Sequence, residues 1–148
     1  MIGTLEYEAL NGQINCCGER GPAGKDASFD LLWENPDKES VFYGQDVKPL
    51  PLTDYRWLMI EFGRYTSTAG SLQATVWVPT DFTVANAYML NLASTKVQLL
   101  ARNFTKVNDT TLHFNSSMMD AVTKSTGVWD ARVTDVAVLI PLRIYGIK

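Results

Sequence analysis

Apolar and polar residues alternate with a period of two through much of the chain from residue 27 onward. In residues 55–65, "YRWLMIEFGRY", one side of an extended chain carries Leu58, Ile60 and Phe62, and the other carries Trp57, Met59 and Glu61. Residues 71–79, "SLQATVWVP", place four apolar side chains on one face: Leu72, Ala74, Val76 and Val78. A period of two is typical of a half-buried β-strand, so both segments are predicted to be strands.

The other segments of this region also read as extended. Residues 28–34 lead in, and residues 41–52 offer two short pieces bent by Gly44. Residues 96–107 and 111–123 are predicted strands joined by a turn at Asn108-Asp109. Residues 84–93 have a competing helical spacing of apolar residues, but we favour a strand or a short turn there. Residues 131–147 contain Pro141, which predicts an edge strand or a split into two strands, because proline cannot donate to a ladder.

These segments together indicate a fold class. They amount to about seven to nine short strands, with turns about 8–12 residues apart, which favours an antiparallel sandwich or barrel. We predict an all-β protein whose residues 27–148 form an antiparallel, jelly-roll-like β-sandwich.

Residues 1–17 precede this domain and are predicted to form an N-terminal anchor. They alternate and then reach Asn11-Gly12, a strong signal for a two-residue hairpin turn. A lone hairpin is marginal in water, so this one needs a partner, either its own copies or a larger assembly. An extended anchor or a frayed terminus is the alternative interpretation.

Residues 18–26, "GERGPAGKD", have glycine at every third position: Gly18, Gly21 and Gly24. In a collagen triple helix three extended chains wind together, and only glycine fits at the crowded axis. The positions between the glycines hold a proline directly after a glycine and the pairs Glu-Arg and Lys-Asp, which can form ion pairs between chains. A plain loop is the alternative interpretation of this segment. The sequence therefore predicts a short shaft of roughly 28 Å and a homotrimer, because one chain cannot form this structure.

Composition and charge narrow the classes of function. The chain has 148 residues, 46% of them hydrophobic, and a formal net charge of −3. Its 13 lysines and arginines are scattered, which argues against nucleic-acid binding. The start, "MIGTLEYEAL", lacks the layout of a signal peptide, and the apolar run at residues 136–142 is too short to cross a membrane. We therefore expect that the chain does not insert into a membrane, and that any export of it does not use a signal peptide.

The residues that usually bind metals are few. Cys16 and Cys17 are adjacent, so they cannot close a relaxed disulfide with each other, although they can cross-link different chains. The preferred interpretation is that the two cysteines are simply small apolar residues at the end of a strand. His113 is the only histidine and alternates with Leu112 and Phe114 on a predicted strand. No metal site and no cofactor are predicted.

Catalytic motifs are also missing from the sequence. It has no Gly-x-Ser-x-Gly elbow, no phosphate-binding glycine loop and no His-Glu-x-x-His, and its lone histidine nearly excludes a triad. The weak remaining possibility for an enzyme is a glycosidase that uses a pair of carboxylates, but nothing in the sequence selects two of the six candidate residues. The candidates are Asp30, Glu34, Asp54, Glu61, Asp81 and Asp120. We expect a protein that is not an enzyme.

Aromatic residues in loop-like stretches are the best ligand candidates. Residues 63–71 and 124–132 are rich in Ser, Thr and Gly, a mix that suits saccharides when a ring is added. The predicted ligand-binding residues are Tyr65, Trp129, Asp130 and Arg132. Trp129, in a loop-like stretch beside Asp130 and Arg132, is predicted to lie at the surface. Plain surface turns are the alternative. By contrast, Trp57 and Trp77 lie inside predicted strands and are expected in the core.

Two segments resemble a known family. Residues 31–62, "LLWENPDKESVFYGQDVKPLPLTDYRWLMIEF", and the ending "IPLRIYGIK", residues 140–148, are similar to parts of fibre and receptor-binding proteins of phages and prophages. A Gly-x-y stretch ahead of such a domain is also frequent in phage fibres. The region between, residues 63–139, has no such likeness, and no binding residue can be carried over.

The resemblance implies a virion protein, assembled in the cytoplasm of a bacterial host. It would be a homotrimeric fibre or knob of the head or tail, joined to other virion proteins through its N-terminal segment. Its β head would attach to a polysaccharide of the host surface. The rival classes are a monomeric carbohydrate-binding β-sandwich, with the glycines as a linker, and, more weakly, a glycosidase.

Overall fold

Alternating residues build strands throughout the part of the chain that the structure, a computed structural model, describes: residues 28–38, 40–64 and 71–148. The ten strands there are β1 (Phe29–Glu34), β2 (Gln45–Val47), β3 (Trp57–Arg64), β4 (Ser71–Pro79), β5 (Val84–Leu92), β6 (Lys96–Asn108), β7 (Thr111–Phe114), β8 (Met118–Thr123), β9 (Val133–Thr134) and β10 (Ile140–Ile147). A short 3-10 helix, Leu52–Asp54, lies between β2 and β3. The predicted all-β fold is confirmed.

The strands form two antiparallel sheets. The four-stranded sheet has the order β1-β10-β3-β4. The six-stranded sheet has the order β2-β7-β6-β8-β9, and β5 pairs with β6. Residues 97–101 of β6 pair with β5 and with β8 at once, so these two strands lie on opposite edges of β6. The long strand β6 therefore organises this sheet, with β7 and β8 following one another along one of its edges.

The core contains residues from both sheets. Phe62 of β3 packs its ring 5.9 Å from that of Phe104 in β6 and 6.1 Å from that of Phe114 in β7. Leu58, Ile60 and Phe62, which the alternation places on one face of β3, are fully buried. Apolar residues of one sheet thus meet those of the other, an arrangement consistent with a β-sandwich.

The prediction that Pro141 marks an edge or splits the last strand is wrong. β10 is continuous and lies inside its sheet, paired with β1 on one side and β3 on the other. Its pairing with β3 shifts register between Pro141 and Arg143, and its pairing with β1 does not reach the proline. Beyond the end of β1, Asn35 Nδ2 donates to the Pro141 carbonyl over 3.0 Å. The irregularity and this side chain accommodate proline in an interior strand.

The expectation that Trp57 and Trp77 fill the core is also wrong. They remain 47% and 51% exposed, because the strand alternation turns them to the outer side of the four-stranded sheet. Trp33, in contrast, is half-buried and packs against the core. Alternation separates two faces of a strand but does not say which face another layer covers.

Several shorter segments were predicted with mixed success. Residues 84–92 form a strand, as favoured, and β6 turns at residues 109–110 into β7, where Asn108 Oδ1 accepts from the Thr110 amide. Residues 41–52 contain only β2 and the start of the 3-10 helix instead of two extended pieces. Residues 111–123 are divided into β7 and β8. The predicted anchor (residues 1–17), the glycine triplets (residues 18–26) and Tyr65 lie outside the described residues.

Candidate functional site

A groove of about 360 Å³ lies on the outer side of the six-stranded sheet, where β5, β6 and the start of β8 run side by side. The register places Asn86 of β5 beside Asn103 of β6, and Tyr88 of β5 beside Ala101 of β6. Met118 of β8 pairs with Ala101 from the other side. Because alternate residues of a strand point to the same face, these side chains all line the groove.

Three asparagines form a hydrogen-bonded row across the groove. Asn103 Nδ2 donates to Asn86 Oδ1 over 3.1 Å, and Asn115 Nδ2 donates to Asn103 Oδ1 over 2.7 Å. These two bonds leave the Nδ2 group of Asn86 and the Oδ1 atom of Asn115 at the two ends of the row. Both end residues are exposed, so the row offers a ligand a donor and an acceptor in fixed positions.

An aromatic ring stands beside this row. Tyr88 is 59% exposed although it lies in the middle of β5. Its cross-strand neighbour is the small Ala101, followed by Met118 on the next strand. A flat ring, a methyl group and a thioether thus give the groove an apolar surface next to its amides.

A charged pair completes the wall of the groove. Arg132 donates from Nε to Oδ1 and from Nη2 to Oδ2 of Asp120, both over 2.8 Å. The hydrogen bonds from Arg132 hold the pKa of Asp120 below its usual value, and the same bonds raise the pKa of the guanidinium. Both groups therefore stay charged near neutral pH, and Asp120 is an acceptor rather than a proton donor.

The four ligand-binding residues predicted from sequence are not gathered in one place. Arg132 lines the groove, as described. Asp130 is bound to Lys96 Nζ over 2.6 Å, and Trp129 forms an isolated bridge with Val122. The prediction that Trp129 lies at the surface is confirmed, since it is 65% exposed. Neither Trp129 nor Asp130 lines the groove, and Tyr65 lies outside the described residues.

Sequence reasoning missed the asparagine row and Tyr88. In β5 the apolar spacing that suggested a helix also puts Val84, Tyr88 and Leu92 on one strand face, together with Asn86. What the sequence lacks is the cross-strand register that brings three distant asparagines together.

A larger depression, of about 470 Å³, follows the turn at residues 34–38. Its groups already serve the scaffold: Asn35 is buried and its Oδ1 accepts from the Asp37 amide, while Glu34 binds Lys38 and Arg143. Residues 34–38 therefore form a turn of the scaffold rather than a ligand site. The hydrogen bonds from Lys38 and Arg143 also lower the pKa of Glu34, and a hydrogen bond from Tyr55 lowers that of Asp30.

Other kinds of site find no support in the described part of the chain. In residues 28–38, 40–64 and 71–148, no three His, Cys, Asp or Glu side chains are placed to hold a metal ion. None of the helices described is long and apolar enough to span a membrane. Comparison of the chain with protein families, characterised proteins and solved structures gives no match.

Proposed function

We propose that this chain is a non-enzymatic virion protein of a phage, a homotrimeric fibre or knob that attaches the particle to a polysaccharide of the bacterial surface. In this proposal residues 1–17 anchor the chain to other virion proteins, residues 18–26 form a collagen-like shaft, and the two sheets form a jelly-roll-like head. The resemblance of residues 31–62 and 140–148 to phage fibre proteins supports the virion assignment. The glycine triplets support the trimer.

The groove on the six-stranded sheet is the observation that carries the binding function. Saccharide hydroxyls both donate and accept hydrogen bonds, and the ends of the asparagine row supply one partner of each kind. The exposed ring of Tyr88 provides an apolar platform for the face of a sugar. Among the described residues that line the groove, the one cation, Arg132, is ion-paired with Asp120, so the groove suits a polar ligand better than a polyanion.

The two rival functions differ from this one in specific ways. A monomeric carbohydrate-binding module would use the same groove, and only the mass in solution separates it from a trimeric fibre head. A glycosidase needs a general acid whose pKa is raised. Asp30, Glu34 and Asp120 have lowered pKa values because they accept hydrogen bonds from neighbouring groups, which is the opposite direction.

The proposed binding site is tested with a panel of soluble bacterial oligosaccharides passed over the immobilised full-length protein. This format prevents several heads of one trimer from strengthening the binding together. The parent should bind at least one oligosaccharide. We expect Tyr88→Ala and Asn103→Ala each to weaken that binding by about tenfold, the equivalent of about 1.4 kcal/mol.

Leu90→Ala is the matched control, because Leu90 lies two residues from Tyr88 on the same strand face, is also 59% exposed and does not line the groove. Its affinity should stay within about twofold of the parent. If the parent protein binds none of the oligosaccharides, the proposed attachment to a polysaccharide is contradicted. Binding that depends on Trp129 but not on Tyr88 would move the site to residues 124–132.

A further inference from the structure

The outer side of the four-stranded sheet carries a cluster of large apolar residues at the end where β1 begins. We name Phe29, Leu31, Trp57 and Trp77 the aromatic face. Each of the four is about half exposed, and the rings of Phe29 and Trp77 meet edge to face at 5.8 Å. Phe29 and Trp57 both pair with Ile147 of β10, so these three residues form one row across the sheet.

Single exposed apolar residues are ordinary on protein surfaces, but a contiguous group with two tryptophans is not. Ile147, at the centre of this row, is only 7% exposed although it does not belong to the core cluster. Farther along the same sheet Arg143 binds Glu34 over 3.1 Å and Glu61 over 3.2 Å. An aromatic centre beside charged groups is the usual composition of a protein–protein interface.

The position of the aromatic face along the chain indicates what covers it. Asp26, the last residue of the glycine triplets, precedes Phe29 by only three residues. Three residues reach at most about 11 Å, so Phe29 cannot lie farther than this from the end of the triplets. In a triple helix the three chains wind about a common axis, which keeps all three copies of Phe29 close to that axis.

We infer that the aromatic face is the surface through which copies of this chain contact one another around the trimer axis. The inference rests on the proposed trimer and adds to it the residues that hold the heads together. Three glycine triplets are few for a stable triple helix, so the heads must supply most of the association. Leu90 of β5 and Trp129, which bridges to Val122 of β8, are exposed apolar residues on the far side of the core and cannot face the same axis.

Light scattering over a dilution series of the full-length protein tests this inference. The parent should be a trimer at micromolar concentration. We expect the double variant Trp57→Ser/Trp77→Ser to dissociate at a concentration at least tenfold higher than the parent does. The matched control is Trp129→Ser, the same substitution at an exposed tryptophan beside the other sheet, and it should dissociate as the parent does.

A second measurement needs no variant and so does not depend on how the double variant folds. Hydroxyl radicals modify tryptophans at rates set by solvent access, and in one isolated chain Trp57, Trp77 and Trp129 are all about half to two-thirds exposed. Contact through the aromatic face would make Trp57 and Trp77 react several times more slowly than Trp129 in the parent protein.

The possible failures are distinct from one another. A monomeric parent would remove the trimer from the proposed function and this inference with it, while glycan binding by the groove would stand. A trimeric parent whose three tryptophans react at similar rates would place the contact elsewhere. A double variant that is folded and as strongly trimeric as the parent would overturn the inference in the same way.

Discussion

Arg102 is a fully buried residue whose partners are neutral. Its guanidinium donates to the carbonyls of Asn115 (2.5 Å), Phe42 (3.0 Å) and Val138 (3.3 Å) and to the Ser117 hydroxyl (2.9 Å). Burial lowers its pKa to about 10, so it is still protonated at neutral pH. Because the strand alternates, Arg102 faces inward while its neighbour Asn103 faces the groove. One charged side chain thus ties three loops to β6, including the loop that carries Asn115, one end of the asparagine row.

Replacing Arg102 should therefore destabilise the domain and disturb the groove. Arg102→Met removes the donors of three carbonyls and one hydroxyl, and we expect a loss of about 2–4 kcal/mol in the free energy of unfolding. Arg102→Lys keeps the charge but loses the planar fork, so its loss should be smaller but measurable. Chemical denaturation of both variants measures this. A methionine variant as stable as the parent would mean that the desolvation of the guanidinium cancels its hydrogen bonds.

At the scale of single residues, the sequence predicted best where local pattern decides. The alternation correctly groups Leu58, Ile60 and Phe62 on one strand face, which the structure buries, and the prediction that Trp129 lies at the surface is correct. The asparagine row could not be predicted, because its members come from β5, β6 and the loop after β7, and only the register joins them. The alternation of β6 is consistent with an inward-facing Arg102, but a charged residue is seldom fully buried, so the sequence alone favours an exposed position.

At the scale of elements, β10 shows what alternation leaves open. Its apolar residues predicted a strand, but the choice between interior and edge depends on neighbours far away in sequence. The apparent obstacle, Pro141, is accommodated by the register shift and by Asn35. At the other end of the strand, Gly146 allows the ring of Tyr55 to lie directly against the backbone. The Tyr55 hydroxyl donates to Asp30 over 2.9 Å, which fixes the ring there.

A side chain at position 146 should therefore be poorly tolerated. A Cβ atom added to Gly146 would lie 2.5 Å from two ring carbons of Tyr55, so the ring or β10 must move. We expect Gly146→Ala to cost about 1–3 kcal/mol in the free energy of unfolding, in spite of the usual gain from replacing glycine in a strand. The control is the same substitution in a Tyr55→Ala background, where the loss should largely vanish. An equal loss in both backgrounds would show that the ring is not the cause.

At the scale of the whole molecule, the all-β class could be predicted because alternating segments recur along the chain. The strand order could not, since alternation identifies faces and not partners. The same limit explains the error at Trp57 and Trp77, which occupy the uncovered outer face of their sheet in the described structure. The anchor and the glycine triplets remain predictions from sequence, because residues 1–27 lie outside what the structure describes.

The trimer is the feature that distinguishes a fibre head from a monomeric carbohydrate-binding module, so the mass of the full-length protein in solution tests the proposal most directly. Sedimentation equilibrium at micromolar concentration, with reductant present to exclude bridges through Cys16 and Cys17, measures association without covalent links. The expected result is a species of three times the mass of one chain. A clean monomer would contradict the shaft, the fibre and the contact through the aromatic face together.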